Sequence, residues 1–263
     1  MLMKEIVKPM IFESHAHYDD EAFDEDRQAV LMSMCEGGVS HIVNVAASVN
    51  SLKSTKALME QYPFVYGAVG IHPDDVGDLD NEVLAQIQKL CKHEKTVAVG
   101  EIGLDYYWDK EQHDLQKYWF ERQLEVAREE QLPFIMHSRD AAADTLDMAK
   151  GLKAGDIGGI VHCFSYGVDI AREYLNMGIY LGVGGVVTFN NGKKLKEVVE
   201  YAPLDHLLLE TDCPYLAPVP YRGKRNTSLL IPQIAEEIAR IKGVSYEEVV
   251  TTTHANAMKV FKL

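Results

Sequence analysis

Cysteine is scarce in this chain and never clustered. The four present, Cys35, Cys91, Cys163 and Cys213, are widely spread and form no CxxC pair, which excludes a disulfide framework and reads as free thiols in a reducing compartment. Positive charge is also short: 26 Lys and Arg face 40 Asp and Glu, a formal net charge of −14. A surface this acidic repels polyanions at long range, so a protein that coats nucleic acid nonspecifically is excluded. Local binding of a nucleic-acid end is not, because carboxylates that a bound cation would neutralise are included in that total. No apolar stretch approaches the length needed to cross a bilayer. The opening Met1-Leu-Met-Lys-Glu-Ile-Val-Lys-Pro-Met mixes charges with apolar residues and lacks the core of a secretory signal. Low-complexity tracts, internal repeats and long linkers are missing as well. The expectation is a cytoplasmic protein with no membrane association and no obligate protein partner.

What the chain has is alternation. Its 263 residues, 47% hydrophobic and 25% charged, suffice for one substantial core. Apolar, β-branched runs fall at residues 11–15, 41–46, 65–70, 96–101, 133–137, 159–162, 179–183 and 206–211. Segments with helical spacing lie between them. One carries Leu115, Trp119, Gln123 and Val126, opened by Glu111 and closed before Pro133; another carries Val30, Leu31, Met34 and Cys35, ended by Gly37-Gly38. The tail carries Ile231, Ile234, Ala235 and Ile238, then Gly243, Ser245 as an N-cap and a final helix through Phe261. Eight strands, each followed by a crossover, predict an α/β protein, a single-domain (β/α)8 TIM-like barrel over residues 10–263. An open doubly wound sheet is the rival, but it would need a Gly-rich phosphate turn after an early strand, and Gly37-Gly38 precedes a strand instead.

The ends of these runs carry the chemistry. His15 and His17 close the first run, two apart and so on one side of a strand. Glu101, His137, His162 and Asp212 end four others. On a barrel the C-terminal strand ends converge on one face. Any one of these side chains alone reads as a satisfied core residue, a cap or an ion-pair partner. Together they would each carry a burial penalty unless something pairs them, and cations pair them all at once. Four imidazoles and two carboxylates exceed one tetrahedral catalytic site. They suit two divalent ions, roughly 3.5–4 Å apart, that share a carboxylate and activate a water. Zn, Mn, Fe, Co and Mg all remain open as the metal. His72, in Gly70-Ile-His-Pro, ends the third run on the same face and is expected to face substrate or to support the ligands from behind, whereas His41, His93, His113, His206 and His254 are expected to pack or lie at the surface.

The segments Ser14-His-Ala-His, Gly70-Ile-His-Pro, Gly100-Glu-Ile-Gly-Leu-Asp-Tyr, Met136-His-Ser-Arg, Val161-His-Cys-Phe-Ser and Leu209-Glu-Thr-Asp-Cys-Pro-Tyr-Leu-Ala-Pro follow in order, with Tyr221-Arg-Gly-Lys-Arg-Asn and Thr253-His-Ala-Asn-Ala after them. In these the chain resembles the TatD family of metal-dependent deoxyribonucleases, within the amidohydrolase superfamily, from Met10 onward. The resemblance implies a TIM-like barrel with two metal positions: His15, His17 and Asp212 at one, His137 and His162 at the other, Glu101 bridging. It implies phosphodiester hydrolysis, 3′–5′ exonuclease action on DNA, with Asp212 accepting a proton from the attacking water and His72 near the scissile phosphate. The chain departs from the family pattern at Glu13, where Asp is usual, and at Thr227-Ser228, where Glu-Pro is usual. Glu13 is expected to support the ligands from behind. Residues 1–9 form an extension before the usual start, which makes Met10 an alternative initiator.

Basic residues follow the last two strands. Lys193, Lys194 and Lys196 are expected on an exposed helix, while Arg222, Lys224 and Arg225, around Gly223, are expected to bind phosphate on the catalytic face. Tyr106-Tyr-Trp108 offers rings that stack on bases of a single-stranded DNA end, although two of the three are expected to pack under the next helix. The leading expectation is thus a hydrolase, a two-cation nuclease acting on DNA ends. A hydrolase of esters or cyclic amides, including a D-aminoacyl-tRNA deacylase, uses a similar metal pair and is the alternative. A non-catalytic metal-binding module would be expected to have lost ligands, and all six are present.

Overall fold

The computed structural model describes residues 10–108 and 111–263, so the expected extension over residues 1–9 lies outside the described residues. Eight parallel strands occur in chain order: β1 (Ile11–Ala16), β2 (Val39–Val45), β3 (Val65–Val69), β4 (Thr96–Asp105), β5 (Phe134–Arg139), β6 (Gly159–Val161), β7 (Tyr180–Val183) and β8 (Leu207–Leu209). The helices α1 (Arg27–Met32), α2 (Val49–Gln61), α3 (Asn81–Leu90), α4 (His113–Glu129), α5 (Ala142–Gly151), α6 (Val168–Asn176), α7 (Lys193–Tyr201) and α8 (Ile231–Lys242) follow the strands in turn, and α9 (Tyr246–Val260) ends the chain. This is the expected (β/α)8 barrel.

The strands form because they are buried on both faces, which permits continuous apolar runs in place of alternation. One side packs on the helices through Ile42, Val65, Val99, Phe134, Leu181 and Leu207, all fully buried. A second cluster, Phe12, Val43, Val97, Ile135, Ile160 and Leu208, packs with Ala257, Val260 and Phe261 of the final helix region. Phe12 stacks on Phe261 with centroids 5.6 Å apart, so α9 plugs one end of the barrel. Ser245 caps α9 by accepting from the Glu248 amide at 3.0 Å, and Gly243 ends α8 at φ 68°, where a side chain would be strained.

Three polar clamps hold the opposite end, where the site lies. Gln123 of α4 accepts from the Ile71 amide at 2.8 Å and donates to the Ile71 carbonyl at 3.1 Å, next to His72. Two turns earlier, Gln116 makes the same pair of bonds, both 2.9 Å, with the backbone of Asp105. Asn226 donates to the carbonyls of Thr211 and Tyr215 at 3.0 and 2.8 Å, fixing the loop that carries Asp212. The seam between β8 and β1 has a different construction: the single parallel bridge among the described residues joins Ala16 to Cys213.

Candidate metal centre

All six expected ligands meet at the C-terminal mouth of the barrel. His15 Nε2 and His17 Nε2 lie 3.1 Å apart, and Asp212 Oδ1 lies 3.8 Å from the first and 3.4 Å from the second. His137 Nδ1 and His162 Nε2 form a second pair, 3.2 Å apart. Glu101 stands between the pairs and divides its oxygens: Oε1 is 2.7 Å from His137 and 2.5 Å from His162, while Oε2 is 3.4 Å from His15 and 3.8 Å from His17. Two imidazole nitrogens this close require a shared proton or a cation between them. The donor set, two nitrogen pairs with one carboxylate facing both and a second facing one, fits a pair of divalent ions.

Neighbouring groups set the ring orientations. His17 donates from Nδ1 to the Val45 carbonyl at 2.8 Å, which aims Nε2 at the cluster. His137 donates from Nε2 to Asp105 Oδ2 at 3.0 Å, which aims Nδ1 at Glu101. The sequence gives Asp105 no role, because the apolar run from Thr96 ends at the polar Glu101. The strand continues to Asp105, and strand parity puts residues 101 and 105 on one face. Between them Gly103 has φ 148°, and a Cβ there would sit 1.9 Å from the His137 carbonyl oxygen. Glycine is what lets the His137 strand approach. Asp212 has φ 57° just past β8, a left-handed turn that an aspartate tolerates better than most side chains.

A model of the TatD related DNase family matches residues 12–262. The chain belongs to that family. Its sequence is 44% identical, over 97% of this chain and all of the relative, to an uncharacterized metal-dependent hydrolase, YabD, of Bacillus subtilis. It is 30% identical, over 96% of this chain and all of the relative, to a protein of Pantoea vagans named as the 3′-5′ ssDNA/RNA exonuclease TatD. The crystal structure of YJJV, a TatD homolog from Escherichia coli, superposes with a TM-score of 0.91 at 29% identity, covering 96% of this chain and 98% of that one. The chain is therefore a metal-dependent hydrolase of the TatD family.

The cluster carries a divided electrostatic state. Burial works against charge on Glu101, yet His162, His72 and the hydrogen bonds of His137 and His15 hold its carboxyl well below the usual range. Burial likewise opposes a proton on His17, but the Asp212 hydrogen bond and charge, with Glu101 and Asp19, push it up to about 10. His137, also opposed by burial, is raised to about 9 by Asp105 and Glu101. Burial and the neighbouring His162 bring His15 down to about 4, and burial and His137 bring His72 down to about 3. His17 and His137 are thus the proton holders.

A cavity of about 940 Å³ opens above the cluster. His72 lines it, with Nε2 3.7 Å from Glu101 Oε1 and Nδ1 accepting from the Asp74 amide at 3.1 Å. Asp19, Asp20, Glu21, Asp74 and Asp75 line its walls, and Arg139 is the one lysine or arginine among the described residues that line it. Arg139, unremarked in the sequence beyond its motif, lies at the end of β5 with its guanidinium 3.9 Å from the Tyr107 ring and 5.5 Å from Trp108. Tyr107 and Trp108 are 47% and 67% exposed, while Tyr106 packs on His113 and donates to Asp144. One of the three rings packs, not two, because the chain turns outward after β4.

The basic loop lies apart from the cavity lining. Arg225 makes a two-pronged ion pair with Asp26, at 2.7 and 2.6 Å, and donates to the Ala22 carbonyl. Arg222 lies over the Phe189 ring at 4.1 Å, and Lys224 is exposed. Lys193, Lys194 and Lys196 do fall on a helix, where Lys196 pairs with Glu237 at 2.9 Å. His41 and His254 pack against Phe12 at the far end of the barrel, as expected of packing residues.

Proposed function

We propose that the chain hydrolyses phosphodiester bonds at the 3′ ends of single-stranded DNA, using two divalent cations. The single observation that carries this reading is the division of Glu101 between two imidazole pairs. His15, His17 and Asp212 would hold one ion and His137 and His162 the other, with Glu101 shared. Ions there would polarise a phosphoryl oxygen and lower the pKa of a water. Asp212 takes that water's proton; its carboxyl faces the cavity, and although burial opposes its charge, His17 and His15 keep it ionised. His72 is neutral, and because its Nδ1 accepts from Asp74, its Nε2–H is free to donate to a phosphate oxygen. Arg139 supplies the cation for a second phosphate, flanked by rings on which a base can stack. Arg222 and Lys224 belong to an outer phosphate-binding rim. The relative named as a single-stranded exonuclease supports the substrate class.

The acidic wall of Asp19, Asp20, Asp74 and Asp75 favours a second reading. An ammonium group suits that wall better than further phosphates, as in the free amine of a D-aminoacyl ester on tRNA. An end-labelled assay of metal-loaded protein on single-stranded DNA, run beside D-aminoacyl-tRNA with an Asp212→Asn control, decides between them. Cleavage from the 3′ end, lost in the control, is expected. Ester hydrolysis without metal-dependent DNA cleavage would sink the nuclease reading in favour of the deacylase.

A further inference from the structure

Behind the candidate ligands lies a set of buried polar atoms that the proposed chemistry does not use. His15 Nδ1, His162 Nδ1 and Glu210 Oε2 are each buried without a hydrogen-bond partner among the described residues. They belong to one neighbourhood: His15, His162 and Glu210 each bring a ligand-type atom within 4.8 Å of the other two. The two imidazoles stack nearly parallel, 11° between planes and 3.9 Å between centroids. Their Nε2 atoms both face Glu101, so their Nδ1 edges turn away from the ion positions together.

The Glu210 carboxyl is built in. Its Oε1 accepts from the Cys163 amide at 2.5 Å, leaving Oε2 without an assigned donor. Space for it is made by Gly182 of β7, where a Cβ would lie 2.2 Å from Oε2. A fully buried carboxyl with one oxygen anchored and the other unpartnered is costly unless donors meet it. The candidate donors in its neighbourhood are the two Nδ1–H groups.

We propose that Glu210 is a positioning residue whose Oε2 accepts the Nδ1–H of both His15 and His162, so that one carboxyl orients an imidazole from each ion position. The spacing is closed by a small ring rotation or by one bridging water. Holding the proton on Nδ1 keeps Nε2 free for a cation. Because His15 serves one position and His162 the other, disturbing Glu210 weakens both ions at once, unlike loss of any single ligand except the shared Glu101. The proposal rests on the two-ion reading above.

The test uses Glu210→Gln. Its amide oxygen keeps the Cys163 bond and turns an NH2 toward the two Nδ1 atoms, favouring the tautomer that blocks Nε2. Zinc titration of the metal-free proteins by calorimetry should show both sites weakened about 10–100-fold. In zinc-loaded parent protein, proton NMR should show two downfield, slowly exchanging Nδ1–H signals that Glu210→Gln removes. Gly182→Ala, which displaces the carboxyl without altering it, should weaken both sites in the same sense and carries the test if Glu210→Gln does not fold. Parent-like zinc affinity in both variants, or only one site affected, overturns the Glu210 assignment. Failure of the parent protein to bind two zinc ions would instead overturn the two-ion reading itself.

Discussion

Glu13 and Ser228 lie 215 positions apart and share a hydrogen bond of 2.9 Å across the seam of the barrel. They occupy the two places where the sequence departs from the pattern it resembles, so the departures meet in space. The same carboxylate accepts from the Thr211 hydroxyl at 2.6 Å, the Thr211 amide at 2.9 Å and the His15 amide at 3.1 Å. It therefore grips the backbone between the first ligand pair and Asp212 where the strands make a single bridge. Removing Ser228 Oγ and removing the carboxylate should differ in degree. Ser228→Ala loses two bonds, one to Glu13 and one from the Tyr18 hydroxyl at 2.8 Å, about 2 kcal/mol together, and should lower Tm by about 4–8 °C. Glu13→Ala strands several buried donors, should lose about 3 kcal/mol or more, and should also weaken ion binding at the His15–His17 position. Thermal melts and zinc titrations of the two variants check this; equal shifts in both would show that the seam does not depend on the carboxylate.

The proton-holding histidines predict a pH response with a definite sign. His17 and His137 are raised from 6.5 to about 10 and about 9 in the metal-free fold. A raised folded-state value gives stability that is complete below pH 6.5 and fades as pH climbs through 9 and 10. Metal-free protein should therefore lose Tm across that window. Loading with cations displaces these protons, so the loaded protein should stay level there and loading near neutral pH should release protons. Melts of the two forms from pH 6.5 to 10, with calorimetry in buffers of different ionisation enthalpy, read both effects. A metal-free Tm that rises with pH would contradict the assignment of the protons to these rings.

The barrel was legible because strands buried on both faces are written as uninterrupted apolar runs, and polar residues ending such runs, like His137 and His162, stand out against them. Asp105 and Arg139 were missed for the same reason. Each lies in a strand extension past the polar residue that ends the apolar run. Glu210 hid between the apolar β8 and Asp212, where nothing local shows that Gly182 on the neighbouring strand makes room for it. Arg225 stands in a basic stretch of the sequence, while its ion-pair partner Asp26 is 199 positions away. Local sequence reports burial well; it does not report which distant carboxylate a surface arginine finds.

Arg139, Tyr107 and Trp108 predict a split between substrates. A base stacked on an exposed ring contributes about 1–3 kcal/mol, so Trp108→Ala should raise KM for a single-stranded oligonucleotide by about tenfold. Arg139→Ala should act in the same direction. Neither change should alter kcat/KM for a small activated phosphodiester, which reaches only the ion positions. Steady-state kinetics on both substrates check this, and equal losses on both would assign the trio to holding up the site.

The basic loop should divide in two when its residues are changed singly. Arg225 is committed to Asp26 and to the Ala22 carbonyl, and its guanidinium lies 4.7 Å from the Phe23 ring. Arg225→Ala should therefore register in Tm, by a few degrees at about 1 kcal/mol, with KM for DNA nearly unchanged. Arg222 and Lys224 are free of such ion pairs among the described residues. Reversing them with Arg222→Glu and Lys224→Glu should leave Tm alone, weaken hydrolysis of DNA more than that of a small phosphodiester, and flatten the salt dependence of DNA binding. If the two reversals instead depress both substrates equally, the loop shapes the mouth of the barrel and phosphate recognition falls to Arg139 alone.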